Sequence, residues 1–97
     1  MEHVNELLRK MVEMEGSDLH LKVGSPPIVR VDGVLKAMSG ERMSADNLNQ
    51  LVFNILNERQ KKEFTQNHEL DFAYGVPGVA RFRVNLSYQR GTIRVVM

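Results

Sequence analysis

From Gly78 to Tyr88 the sequence alternates strictly between apolar and polar positions. Ala80, Phe82, Val84, Leu86 and Tyr88 fall on one side, and Arg81, Arg83, Asn85 and Ser87 on the other. A period of two over this length specifies a strand with one buried and one exposed face. The exposed face carries two arginines and no acid. Whatever else the chain does, it must cover the apolar face of this strand and leave the arginine face accessible.

The segments around it supply that cover. Leu70, Phe72 and Tyr74 alternate with Glu69, Asp71 and Ala73, which predicts a strand before it. Ile93, Val95 and Met97 alternate with Thr92, Arg94 and Val96, which predicts a strand after it. Val76-Pro77-Gly78 has proline and glycine where a type II turn needs them, and Gln89-Arg90-Gly91 turns the chain again. Earlier, Leu19, Leu21 and Val23 alternate with His20 and Lys22. After a Gly24-Ser25-Pro26-Pro27 break, Ile28 to Val31 and Val34 to Ala37 form a hairpin about Asp32-Gly33.

Two stretches have helical periodicity instead. Val4, Leu7, Leu8, Met11 and Val12 form one apolar stripe in a helix over residues 2–15, with Gly16 as its left-handed stop. Leu48, Leu51, Val52, Ile55 and Leu56 form a second stripe. Ser44 is its N-cap, and Met43 and Leu48 sit at the staple positions. Asn57 and Gln60 read as a second cap, opening a short helix anchored by Phe64, with Glu58 and Lys62 as an i, i+4 pair. The order of elements predicts an α+β fold, an antiparallel sheet of about six strands with helices packed on one face.

Composition excludes much. Ninety-seven residues make one domain. With no cysteine, thiolate metal sites, disulfides and cysteine nucleophiles are ruled out. Thirteen basic against twelve acidic residues argue against a general nucleic-acid or anionic-membrane surface. Charges within the first thirteen residues break any signal-peptide run, and no stretch is long and apolar enough to span a membrane, so a cytoplasmic location is expected. Gly75 to Gly78 lacks the lysine and helix of a phosphate-binding loop. Asp18 and His20 share a strand face and form a candidate acid–base pair, but no third ligand or partner stands at usable spacing. His3 and His68 sit near element ends and carry no signal. The strand pattern runs to the last residue with no terminating signal, so the natural chain is expected to continue.

Register places the arginines. If the apolar residues share a side, Tyr74 pairs with Ala80, Phe72 with Phe82 and Leu70 with Val84. Asp71 then lies opposite Arg83. A two-residue turn at Arg90-Gly91 sets Leu86 against Val95 and Ser87 against Arg94. Arg81, Arg83 and Arg94 therefore emerge from one face, with Arg83 and Arg94 separated by roughly 13 Å along the strands at about 3.3 Å per residue. Arginines on an exposed strand face usually serve solubility or a cross-strand ion pair, and Asp71 gives that reading a specific form. The other reading is a polyanion site, because the planar guanidinium pairs bidentately with phosphate.

Taken in order, several segments resemble a known family. They are Gly16-Ser17-Asp18-Leu19-His20-Leu21, Pro26-Pro27, Arg30-Val31-Asp32-Gly33, Glu69-Leu70-Asp71-Phe72, Gly78-Val79-Ala80-Arg81-Phe82-Arg83-Val84-Asn85 and Gln89-Arg90-Gly91. Together they are similar to the N-terminal domain of the type IV pilus retraction ATPases, the PilT-like branch of the secretion-ATPase superfamily. The resemblance implies a single PAS-like N-terminal domain over residues 1–97. A RecA-like ATPase domain is expected downstream, outside this sequence, together with the phosphate-binding loop, acidic boxes and histidine box of the family. It implies a homohexamer in which this domain packs against a neighbouring ATPase domain and moves as ATP and Mg are bound and ATP is hydrolysed. It also implies partners in the inner-membrane pilus machinery and a location at that membrane's cytoplasmic side. In related secretion ATPases, arginines of this domain reach the ATP phosphates. By motif these match Arg83 and Arg94, although many retraction ATPases carry a small residue at the second position. Arg81 and Arg90 also match family arginines. The fragment alone is expected not to hydrolyse ATP. Two rivals remain: a PAS-like ligand-sensing or assembly module with no nucleotide contact, and a free-standing hydrolase using Asp18 and His20.

Overall fold

A computed structural model describes residues 4–38 and 40–97. Its elements are α1 (Val4–Glu13), β1 (Asp18–Lys22), β2 (Ile28–Val31), β3 (Val34–Ala37), α2 (Ala45–Phe53), α3 (Glu58–Asn67), β4 (Glu69–Val76), β5 (Ala80–Gln89) and β6 (Thr92–Val96). The expected start of the first helix at residue 2, His3, and part of the loop at 38–42 fall outside the described residues. Six antiparallel strands form one sheet in the order β3-β2-β1-β6-β5-β4. The three helices lie on one side of it, as the strand and helix patterns require.

The sheet joins two hairpin systems along its middle. β1 pairs with β6, Leu21 opposite Val95 and His20 opposite Val96. Reciprocal bonds of 2.9 Å between Leu19 and Met97 extend that ladder. Two-residue turns close the flanking hairpins. Asp32 and Gly33 have φ of 51° and 78°, and Arg90 and Gly91 have 55° and 80°. Positive φ at both turn positions is the geometry that follows the natural strand twist.

Periodicity decides what is buried. Val4, Leu7, Leu8 and Met11 of α1 and Leu48, Leu51 and Val52 of α2 enter the core. They meet Leu19, Leu21 and Val29 from the first half of the sheet and Val84, Leu86, Ile93 and Val95 from the second. The Tyr74 hydroxyl donates to Asn5 Oδ1 at 2.6 Å, tying α1 to the far edge strand. Ser44 caps α2 by accepting from the Asn47 N–H. Asn57 and Gln60 form the reciprocal capping box of α3 at 2.8 and 3.0 Å.

Val12, expected on the buried stripe of α1, is 44% exposed near the end of that helix, and four further sequence expectations need correction. α2 ends at Phe53 and does not carry its stripe through to Leu56, although Leu56 is still buried. Glu58 pairs with Lys61 at 3.3 Å, one position nearer than Lys62. β4 and β5 are shifted by two residues from the expected register: Phe72 lies opposite Val84, Leu70 opposite Leu86, and Asp71 opposite Asn85. The shift arises because Val76 continues the alternation and is buried. The hairpin therefore closes later, with the Val79 N–H on the Val76 carbonyl at 3.0 Å. A shift of two keeps every side chain on its own face, so the apolar pattern could not distinguish the two registers.

The fourth correction concerns Gly16. The left-handed residue after α1 is Glu15, at φ 58°. The Glu15 N–H bonds the Val12 carbonyl and the Gly16 N–H the Met11 carbonyl, the paired closure of a Schellman motif. Gly16 is needed for space: a Cβ there would lie 2.5 Å from Val29 Cγ2 and 2.9 Å from Met11 Cγ. Neither gives way easily: Met11 Cγ lies near the root of a buried side chain, and Val29 is a branched side chain wholly buried in the sheet. Gly16→Ala should therefore destabilise the domain by about 1–3 kcal/mol, the usual cost of overpacking. Gly75→Ala, whose Cβ would meet only Arg81 Cγ at 3.8 Å, should melt near wild type in the same thermal scan.

Candidate functional site

The helix-free face of the sheet gathers the charged side chains. The alternation of β5 puts Arg81 and Arg83 there, and that of β6 puts Arg94 there. Arg94 sits between Ser87 of β5 and Lys22 of β1. Arg81 lies opposite Gly75 and Arg83 opposite Ala73, so both cross-strand neighbours are small. The expectation that the three arginines share a face holds, and the four-residue offset between Arg83 and Arg94 follows from the β5–β6 register.

Arg83 is held by Asp71 across the diagonal of the ladder. Its Nη2 donates to Asp71 Oδ2 at 2.6 Å, and its Nε reaches both carboxylate oxygens at 3.1 and 3.2 Å. The ion pair expected from the sequence exists, although Asp71 stands directly opposite Asn85. The Arg83 side chain is 84% exposed, so it is presented to solvent while oriented. The hydrogen bond from the guanidinium holds the Asp71 carboxyl below its ordinary pKa, and Asp71 raises that of Arg83.

A depressed carboxylate pKa adds stability above the unfolded-state value, and that stability is lost as pH falls through the folded value. The contribution is small at this exposure. NMR titration should show Asp71 protonating at lower pH than an isolated aspartate, with Arg83→Ala returning it towards the ordinary value.

Asp18 and His20 do sit together, but not as a catalytic pair. Asp18 Oδ2 accepts from Arg30 Nε at 3.1 Å, and Arg30 also donates to the Gly33 carbonyl at 3.2 Å. Arg30 thereby braces the β1–β2 pairing and the β2–β3 turn. His20 Nε2 stands 3.8 Å from Asp18 Oδ2, beyond hydrogen-bond reach. Among the described residues no group of three His, Asp or Glu side chains is arranged to hold a metal. Among the described residues no helix is long and apolar enough to cross a membrane.

One residue of this face was not singled out from the sequence. Lys22 lies directly opposite Arg94. Its alternation with Leu21 and Val23 put it on an exposed face, but nothing local revealed that β1 would pair with β6, more than 70 residues away in sequence.

Comparison with known proteins agrees with the fold. No family model matches the chain. The type IV pilus ATPase PilU of Pseudomonas aeruginosa is 38% identical over 92 residues, spanning 95% of this chain and 24% of that protein. The retraction ATPase PilT of the same organism is 42% identical over 82 residues, spanning 84% of this chain and 24% of that protein. The chain thus spans about a quarter of the length of these curated relatives. The crystal structure of the pilus retraction motor PilT with bound ADP superposes at a TM-score of 0.90, with 33% identity, over 99% of this chain and 28% of that one. The Legionella pneumophila ATPase DotB shares the fold at a TM-score of 0.79 and 22% identity, over 96% of this chain and 27% of that one. By sequence and by fold, the chain belongs to the PilT-like ATPases, as their N-terminal domain.

Proposed function

We propose that this chain is the regulatory and coupling domain of an ATP-driven pilus retraction motor, and that its open sheet face contributes arginines to nucleotide bound on the motor's ATPase domain. Arg83 is the principal contact, with Arg94 and Arg81 beside it. The observation that carries the reading is the state of Arg83. Its guanidinium is already oriented by Asp71, yet it is exposed and held only by a surface ion pair, which contributes little to stability. A polyphosphate carries more charge than one carboxylate and accepts the same bidentate geometry. Exchanging Asp71 for phosphate is therefore inexpensive, and the two bound states make a switch whose position follows nucleotide occupancy.

In this reading the full-length protein is a homohexameric, cytoplasmic ATPase using ATP and Mg, docked on the inner-membrane pilus machinery, with a RecA-like domain following this one. The domain packs on a neighbouring ATPase domain and supplies no catalytic group of its own. The relatives' names as pilus ATPases and the ADP bound to PilT support this assignment. Arg83→Ala in the full-length protein tests it: ATP turnover should fall while the fold of the domain is unchanged.

A further inference from the structure

The same face holds a cleft that shares Arg94 with the arginine reading but lies away from its principal contact, Arg83. It has a volume of about 360 Å³ and lies over β1, β2, β3, β5 and β6, with Asn85, Ser87 and Gln89 of β5 in its lining. Ile28, Leu35 and Val96 line it with aliphatic surface, while Lys22 and Arg94 stand on its rim. Arg83 is not part of its lining.

Three features mark this cleft as a binding site. Lys22 and Arg94 are directly opposite one another on neighbouring strands, an arrangement of like charges that destabilises a ladder. Among the described residues neither has an acidic partner. Beside them Leu35 and Val96 remain 54% and 40% exposed, so the trench next to the cations is apolar and open to water. In its floor, His20 Nε2 is shielded from solvent and makes no hydrogen bond. Buried polar atoms are rarely left without a partner. Apolar walls with a few convergent polar groups are the usual make-up of a small-molecule site, and the volume is in the range such sites occupy.

We infer that this cleft binds an amphipathic organic anion, its phosphate or carboxylate held between Lys22 and Arg94 and its apolar body lying along Ile28, Leu35 and Val96. The anion would relieve the repulsion between the two cations, and the apolar body would remove Leu35 and Val96 from water. The ligand site is on the open sheet face, not in the space between sheet and helices where a sensing module of this fold class would ordinarily be sought. It needs no ATPase domain, because every group named belongs to these 97 residues.

The test is a ¹H–¹⁵N NMR titration of the 97-residue chain, which carries its own packed core. The probes are AMP and octanoate, with inorganic phosphate and adenosine as controls. Saturable shifts at Lys22, Leu35, Arg94 and Val96 with AMP or octanoate support the site. A response to AMP alone assigns it to a phosphate with a flat ring, and a response to octanoate alone assigns it to an aliphatic carboxylate. Lys22→Glu should weaken binding roughly tenfold or more by reversing one rim charge. Leu35→Ser should weaken it about fivefold by removing apolar contact. Both variants should keep the wild-type spectrum elsewhere. The inference is overturned if neither probe saturates. It is also overturned if inorganic phosphate binds as tightly as either probe, or if folded Lys22→Glu binds unchanged. Because the chain alone is used, failure here is separable from failure of the Arg83 contact, which is read only in the full-length motor.

Discussion

Phe64→Ala should lower the melting temperature of the domain by about 12 °C or more, the largest stability effect expected of any single truncation. α3 is polar on every side but one, and Phe64 is its only buried residue. The ring is completely shielded and stacks on Tyr88 with centroids 4.7 Å apart and planes 9° from parallel. Phe53 packs against it at 6.4 Å. His68, left-handed at the end of α3, meets the edge of Tyr88, and its carbonyl accepts from the Tyr88 N–H at 3.0 Å. Phe64 is therefore the one apolar attachment of α3 to the sheet. Deleting a buried phenylalanine costs about 3–5 kcal/mol through lost transfer energy and the cavity left behind. In a domain of this size each kcal/mol moves the midpoint by roughly 4–8 °C, and total stability is only about 5–15 kcal/mol. Thr65→Ala is the control. It removes a solvent-exposed bond to the Lys61 carbonyl at 2.8 Å and should shift the midpoint by no more than a few degrees.

Much of this architecture is legible in local patterns. The cap at Ser44, the capping box of Asn57 and Gln60, the Asp32-Gly33 and Arg90-Gly91 turns and the burial of Phe64 all follow from interactions spanning a few residues. So does the side of the sheet on which each arginine emerges, because alternation fixes the face. Alternation does not fix register in steps of two, which is why Asp71 was expected opposite Arg83 and lies opposite Asn85 instead. The ion pair survives the shift because arginine is long enough to reach diagonally. The role of Gly16 was hidden for a different reason. A glycine after a helix suggests a left-handed stop, whereas the demand here comes from Val29, thirteen residues away across the core. The Lys22–Arg94 juxtaposition was equally out of reach, since it depends on the non-local pairing of β1 with β6. Local signals thus describe the support of the candidate site, and long-range pairing decides which charges meet on it.

The largest functional effect is expected at Arg83. In the proposed function Arg83 makes a bidentate, charge-assisted contact to phosphate, and losing it in Arg83→Ala should lower turnover roughly tenfold or more. The fold should tolerate the change, because the partner left behind, Asp71, is 42% exposed and remains hydrated. Asp71→Asn separates the two roles of the pair. It frees the guanidinium from its resting partner without removing it, so turnover should be preserved or raised, whereas a purely structural ion pair would make the two variants behave alike. The decisive measurement is the ATP turnover number of the full-length protein at saturating ATP and Mg, wild type against Arg83→Ala, with the melting temperature of each recorded alongside. The account predicts a fall of about tenfold or more with the melting temperature within roughly 3 °C of wild type. An unchanged turnover number in a folded Arg83→Ala protein would contradict it.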